Sequence, residues 1–417
     1  MDVKERLRFI LWTRLLNQRI RKSGYVPHAP LRHISAYIDA VLQRFAACRD
    51  AHCSFFQVPI PSDRRHLFVF ADDEGNLWQF TRLPMGLVTA PEIMHLRMCV
   101  AAGHPDYVRP EFAARDVTVD VWIDNVRFAG EPDDVRRAAE AFDSVAAAAH
   151  MTLNHADAVE GTKYTFLGVH FDHEAGAVQL GEKIARKLRR PTWTTIGEVE
   201  QLIGRLLHAA AVLDIPLVRY WWLLKGVRRR LSAVNRGAAT RASPANLSKS
   251  VLAQLRELVA AARNNAPRLV TRPGPVTTTI FTDATLTSWG AVCIDMATQE
   301  VRVAGARWRV PATNINAAET RAIQCALEAF PVTDCTLRLY VDNTSTMASV
   351  KKARARSFAI NTELQPVLET AHARRCKLTV SYVASADNPA DAPSRGAPFS
   401  AAHHATMQRA GGAYDVR

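Results

Sequence analysis

Residues 117–128, VTVDVWIDNVRF, alternate apolar and polar side chains with the period of two that an extended strand sorts onto opposite faces. Val119, Val121 and Ile123 fall on one side and Asp120, Trp122 and Asp124 on the other, so a single strand with one apolar and one polar face is expected. That reading puts Asp124 near a strand end, just before Val126 and Phe128 resume the apolar pattern. Upstream, residues 33–45 place Ile34, Ile38, Leu42 and Phe45 at helical intervals, and Asp50 is expected to open the element that follows. Two carboxylates facing each other from neighbouring strands make an oxygen-lined cradle for Mg2+, the hard cation that organises phosphoryl and nucleotidyl transfer. An isolated aspartate more often ends in an exposed turn, and the surrounding sequence has to decide between the two.

Composition narrows the partners. The 417 residues carry 53 Lys and Arg against 40 Asp and Glu, a formal charge of +13 that points to a polyanion, with RNA or DNA the first candidates. A hydrophobic content of 48% suffices for the cores of two or three domains. No apolar run approaches the roughly 20 residues of a membrane-crossing helix. The first residues, MDVKERLRFILW, carry charges where a signal peptide needs an apolar stretch. No membrane partner is expected, and the protein is expected to be intracellular, in the cytoplasm, the nucleus or both. The seven cysteines lack Cys-x-x-Cys spacing, so neither a zinc module nor a disulfide framework is implied.

Alternation in LFVF, a turn at ADDEGN and renewed alternation in LWQF mark a hairpin, and residues 80–91, FTRLPMGLVTAP, follow it. This string resembles the Leu-Pro-x-Gly-Leu-x-x-Ala-Pro signature of reverse transcriptases. Its flanks fall into the same register. DAHCSFFQVP, beginning at Asp50, resembles the family's first catalytic stretch, WIDN its Tyr-x-Asp-Asp box, FLG its primer-gripping hairpin, and RFILWTRLLN its fingers motif. The resemblance implies that Asp50 and Asp124 hold two Mg2+ ions, with Mn2+ as a substitute. It implies that Arg8 holds the deoxynucleoside triphosphate, and that Phe55 stacks under the sugar and obstructs a 2'-hydroxyl. Phe56 is then an ordinary core residue. By the same resemblance Gly86 permits close backbone approach to template and nucleotide, Asn125 lines the nucleotide site, and Phe166 and Gly168 meet the DNA primer. Two departures stand out. Asn125 replaces the box's second aspartate and keeps a carbonyl oxygen without the charge, which weakens the expected polymerase activity. Ala156 and Asp157 occupy the place where the family often carries a lysine after Leu-Asn.

The middle of the chain is helical in pattern, with Thr195 and Glu198 spaced as a capping box. From Lys225 the sequence KGVRRRLSAVNRGAATRASPANLSK holds Arg228, Arg229 and Arg230 and no acid, which reads as a mobile basic linker that tracks nucleic-acid phosphates. The last third changes rhythm to three strands, a helix capped by Asn314 or Asn316, a strand, helices and a strand. Asp283 and Asp342 close strands, and Glu319 shares a helix face with Ile323 and Ala326. This order resembles ribonuclease H, and DNPADAPSR resembles the ending found in retroelements. The resemblance implies that Asp283, Glu319, Asp342 and Asp391 hold two Mg2+ ions that direct water at RNA in an RNA/DNA hybrid.

The expectation is therefore a multidomain α+β and α/β protein: a right-hand polymerase with truncated fingers and palm over residues 1–180, a thumb or connection with the basic linker over 181–275, and an α/β ribonuclease H domain over 276–397. Residues 398–417 are left unassigned. The whole resembles part of a retroelement polyprotein, of long-terminal-repeat or DIRS-like type, acting on an RNA template, a DNA primer and deoxynucleoside triphosphates. Two other readings stay open: a decayed or domesticated copy that binds nucleic acid or a protein assembly without polymerising, and a copy in which only the nuclease survives.

Overall fold

The computed structural model describes residues 11, 13–272 and 274–399. Arg8 and the tail from residue 400, including the His403–His404 pair, lie outside the described residues. The chain divides into two units, one of residues 1–187 with 211–213 and 265–271, the other of 188–210, 214–264 and 272–417.

The first unit begins with α1 (Arg14–Lys22), a 3-10 segment (Ile34–Leu42) and β1 (Phe45–Asp50). The helical periodicity over residues 33–45 thus gives way to a strand at Phe45, and Asp50 closes β1 rather than opening a new element. Ala46, Ala47 and Cys48 are all buried, and their small side chains let β1 lie in the middle of a sheet. The expected hairpin forms from β2 (Val69–Ala71) and β3 (Leu77–Gln79), its turn gathered around Asp72, which accepts from the Asn76 amide at 2.8 Å and Trp78 Nε1 at 2.8 Å. After α2 (Ala90–Ala101), the stretch expected as one strand is two: β4 (Val117–Trp122) and β5 (Asn125–Gly130), folded back on each other. The reversal is made at Ile123, whose φ of 56° is left-handed, and at Asp124. With α3 (Pro132–Ala148) and β6 (Val159–Gly161) this gives an antiparallel sheet in the order β4-β5-β1-β6. Val121, Val126 and Phe128 pack with Met94 and Met98 of α2 and Phe142 of α3 into one core.

On the face of β4 and β5 expected to be polar, Asp120 and Arg127 are buried. A second sheet, β7 (Lys163–Phe166), β8 (Val169–Asp172) and β9 (Ala177–Leu180), supplies its aromatic rings, and α4 (Glu182–Lys187) follows. Arg127 is fully buried, with Nε donating to Asp120 at 3.0 Å and a terminal nitrogen donating to the Tyr37 carbonyl at 2.7 Å. Its guanidinium sits 4.7 Å from the ring centres of both Phe166 and Phe171. Period-two alternation identifies a strand with two kinds of face, but it cannot tell a solvated polar face from one sealed around an ion pair.

In the second unit the capping box forms as expected at the head of α5 (Ile196–Leu213), and α6 (Trp221–Asn235) and α7 (Lys249–Asn264) follow. The expected mobile linker is helical through Asn235, so Lys225 and Arg228 to Arg230 ride on α6. After β10 (Arg268–Leu269), which pairs with β9, come β11 (Val276–Ala284), β12 (Ser288–Asp295), β13 (Val301–Arg307), α8 (Ile315–Ala329), β14 (Thr336–Val341), α9 (Thr344–Lys351), α10 (Phe358–Ala373), β15 (Lys377–Tyr382) and α11 (Asp391–Ser394). The sheet order is β13-β12-β11-β14-β15, antiparallel on the β13 side and parallel from β11 through β14 to β15. The parallel pairs require crossovers, which α8 and then α9 with α10 provide. Asn314, not Asn316, caps α8 through the Ala317 amide. No helix among the described residues is long and apolar enough to cross a membrane.

Removing Arg127 strands a buried Asp120. Arg127→Ala is expected to destabilise the first unit by about 3–5 kcal/mol, whereas Arg127→Met combined with Asp120→Leu should recover most of that loss. Urea denaturation of the three proteins checks this; equal loss in both variants would show that the ring packing, not the ion pair, is what matters.

Candidate functional site

β1 and β5 run antiparallel with Asp50 opposite Asn125, which brings the end of β1 against the tip of the β4–β5 hairpin. The Ala51 amide donates to the Asp124 carbonyl at 3.0 Å and fixes that approach. The Asp124 carboxylate accepts from Ser54 Oγ at 3.1 Å on one oxygen and from Asn125 Nδ2 at 3.0 Å on the other. Burial pushes the Asp50 carboxyl up to about 6, and the charge of Asp124 adds to the rise while the Asn154 side chain opposes it. The two carboxylates expected to converge are thus electrostatic neighbours. Asp157 also acts on Asp50 as a like charge. Ser54 and Asn154 carry no charge, and nothing in the sequence set them apart as contacts of the two carboxylates.

The remaining residues expected at this site are distributed as follows. Gly86 has φ 106°, a conformation that favours glycine, and its carbonyl accepts from Thr13 Oγ1 at 2.7 Å and Asn17 Nδ2 at 2.9 Å, which staples α1 to the Leu-Pro-x-Gly-Leu turn. Phe55 and Phe56 are both half-buried, and it is Phe55 that packs against two apolar clusters. Phe166 ends β7 and is buried; Leu167 and Gly168, with φ of 51° and 77°, make the turn into β8. On α6, Arg228 and Arg229 are exposed, whereas Arg230 donates to the Pro244 carbonyl at 2.8 Å and so holds the segment after the helix.

The second unit gathers a tighter acidic group. β11 and β14 are parallel neighbours, so their C-terminal ends emerge at one edge of the sheet, Asp283 near the end of β11 and Asp342 just past β14. Glu319, one turn into α8, reaches the same place, and ligand oxygens of Asp283, Glu319 and Asp342 all lie within 4.8 Å of one another. Asp391 heads α11, which lies directly on β12 and β13. A Cβ on Gly290 would stand 2.3 Å from the Ser394 nitrogen, and one on Gly305 would stand 3.0 Å from the Pro393 carbonyl oxygen. This close approach lets Ser394 donate to Asp283 and brings the Asp391 charge to bear on it. Asp391 itself is held by Arg395, with contacts of 2.8 to 3.0 Å. Ser394 was legible only as part of the stretch DNPADAPSR.

Burial raises Asp283 to about 6, assisted by Asp342 and Asp391 and opposed by the Ser394 hydroxyl. Burial raises Glu319 further, to about 9, with the charges of Asp342 and Asp283 adding to it. One Glu319 oxygen meets the Ala284 amide at 3.3 Å; the other, Oε2, is buried with no hydrogen-bond partner. Glu319 Oε2 is a buried oxygen open to a ligand beside two further carboxylates, so the donor set fits Mg2+ or Mn2+.

No protein-family model matches the chain, and no curated protein matches its sequence. Among solved structures it is similar to the foamy viral protease-reverse transcriptase dRH in complex with double-stranded DNA, at 15% identity and a TM-score of 0.52, over 91% of this chain and 64% of that one. The foamy viral protease-reverse transcriptase in complex with an RNA/DNA hybrid follows, at 13% identity and a TM-score of 0.48 over 86% of this chain and 46% of that one. The chain thus has a reverse-transcriptase-like fold of mixed helices and sheets and corresponds to less than two thirds of the first neighbour's length.

Without metal, the raised carboxyls tie stability to pH. Glu319 takes up its proton near 9 when folded and near 4.5 otherwise, and Asp283 shifts in the same sense, so the folded chain binds the extra protons. Their stabilising contribution is complete below about pH 4 and is lost as pH rises toward about 9. In a chelating buffer the thermal midpoint is expected to fall across that window, Glu319→Gln should flatten the fall, and added Mg2+ should reverse it. A midpoint that ignores both pH and Mg2+ would contradict the assignment.

Proposed function

We propose that the chain is an RNA-directed DNA polymerase joined to a ribonuclease H, a retroelement protein with two separate two-metal sites. The observation that carries the reading is the cluster of buried Asp283 and Glu319 with half-buried Asp342, and its orphaned Glu319 oxygen, set in a reverse-transcriptase-like fold. In the first unit Asp50 and Asp124 would hold the ions; in the second, Asp283, Glu319, Asp342 and Asp391 would. Bound there, Mg2+ or Mn2+ would lower the pKa of the attacking hydroxyl or water and neutralise the leaving group.

The chain's own residues do the positioning. Ser54 and Asn125 orient the Asp124 carboxylate, which has further lone pairs open because an ionised carboxylate accepts about four hydrogen bonds or metal contacts. Ser394 orients Asp283, and Arg395 sets the direction of Asp391. Phe55 would read the sugar of the incoming deoxynucleoside triphosphate, Arg8 and the Gly86 turn would hold its phosphates and the template, and Phe166 with Gly168 would support the DNA primer. The exposed Arg228 and Arg229 would meet the phosphates of an RNA template or RNA/DNA hybrid.

One observation favours a second reading in which polymerase activity is lost. Asn125 not only lacks the charge of an aspartate but donates its amide to Asp124, so it takes up a lone pair that a metal would otherwise share. A copy of this kind would bind nucleic acid or a protein assembly, and the nuclease could survive alone.

Primer extension on an RNA template in Mg2+ and in Mn2+, run beside cleavage of an RNA/DNA hybrid, separates the readings. Extension is expected, with Asp124→Asn abolishing it, Asn125→Asp raising it roughly tenfold or more, and Asp342→Asn abolishing only hybrid cleavage. No extension by the wild type or by Asn125→Asp in either metal rejects the polymerase, and no hybrid cleavage rejects the nuclease.

A further inference from the structure

We propose that the second unit carries a binding site for single-stranded nucleic acid, built from α6, the start of α9 and the segment from Lys352 to Asn361, and independent of both carboxylate sites. A cleft of about 440 Å³ opens there. Its lining includes Lys225, Arg228, Lys352, Arg354 and Arg356 and no acidic residue. None of these five makes an ion pair among the described residues, whereas Arg219, Arg241, Arg321, Arg375 and Arg395 of the same unit do. Five cations lining one concavity repel one another. The arrangement is stabilised only when a polyanion enters.

The backbone that presents them is fixed. Asn361 Oδ1 accepts from the Ala355 amide at 3.3 Å, and Asn361 Nδ2 donates to the Val218 carbonyl at 2.8 Å, so one buried side chain ties the basic segment to α10 and to the turn that leads into α6. A solvated charge run has no need of such an anchor.

What selects a single strand is the aromatic group on the rim. Trp221, which lines the cleft, meets Trp222 at 4.8 Å and Phe358 at 5.0 Å between ring centres, and Trp222 and Phe358 are 5.0 Å apart. Lys225 Nζ stands 5.2 Å over the Trp221 ring. Rings that served only to pack α6 on α10 would be covered, yet Trp222 remains 43% exposed and Phe358 48%. Half-open rings beside phosphate-binding cations form a stacking platform: an unpaired base offers a free π-face to Trp222 or Phe358 while its phosphates meet the arginines. A duplex hides those faces in its own stack, and an acidic peptide has none to offer.

Fluorescence anisotropy of the full chain with labelled oligothymidylate and oligouridylate of about 12 nucleotides, against a blunt duplex of the same length, tests this. Trp222→Ala combined with Phe358→Ala is expected to weaken single-strand binding roughly tenfold or more and to leave duplex binding unchanged. Arg354→Glu combined with Arg356→Glu should weaken it too and reduce its dependence on salt. Tryptophan emission of the unaltered protein should be quenched by saturating oligothymidylate, and less so in Trp222→Phe. Preference for one of the two oligomers would tell DNA from RNA as the strand served. The site is overturned if the unaltered protein shows no quenching, if both double variants bind single strands normally, if duplex affinity falls equally, or if a polyglutamate peptide displaces the oligomers as well as they displace each other. Because primer extension and hybrid cleavage are not read out, their failure and the failure of this site are separate results.

Discussion

Carboxylates with oxygens within 4.8 Å of one another repel strongly when ionised, and the second unit holds Asp283, Glu319 and Asp342 together at that distance. Each is fixed by a different rigid element: the end of β11, the first turns of α8 and the end of β14. The parallel pairing of β11 with β14 is what puts two of them at one edge, since antiparallel neighbours would send their ends in opposite directions. Behind that edge, Ile280, Leu339, Ile323 and Leu337 form part of a continuous apolar core whose burial offsets the repulsion. Protonation relieves what remains when no cation is present: burial, with the charges of Asp342 and Asp283 adding to it, raises Glu319 to about 9, further than Asp283 at about 6.

The first unit solves a milder version of the same problem. Asp50 and Asp124 sit at a strand end and a hairpin tip, where water and neutral donors can reach them, and Ser54, Asn125 and Asn154 supply hydrogen bonds in place of a counter-charge. The full ion pair, Arg127 with Asp120, lies deeper in the same sheet. By clamping the rings of Phe166 and Phe171 it ties the β7–β8 turn, with Gly168 at its tip, to the strands that carry Asp124. Charge is thus neutralised where rigidity is needed and left unneutralised where a ligand would act.

How much of this could be read from the sequence depended on how local the cause was. The hairpin of residues 69–79, the capping box at Thr195 and Glu198 and the strand and helix order of the last third follow from short-range turn chemistry and periodicity, and they form as expected. The reversal at Ile123 was marked only by a one-residue slip in the alternation, from Val119, Val121 and Ile123 to Val126 and Phe128, and the turn lacks the usual glycine or asparagine at its first position. The same blindness made Phe45 look like the last residue of a helix when it begins β1. The basic stretch from Lys225 read as a linker because alanine, serine and arginine suit helix and coil alike; leucines and valines packing on one side of α6 made the difference.

Long-range contacts were out of reach in principle. Nothing near Gly290 in sequence says that Ser394 must come within bonding distance of Asp283, because the requirement arises only when α11 folds back across β12. A glycine on a strand costs backbone entropy and removes packing, so its presence at Gly290, and again at Gly305 across the β12–β13 pair, signals that another segment must pass too close for a side chain. Read as a pair directly opposite each other in the sheet, those two glycines mark the track along which α11 passes, bringing Ser394 to Asp283 and the Asp391 charge to bear on it.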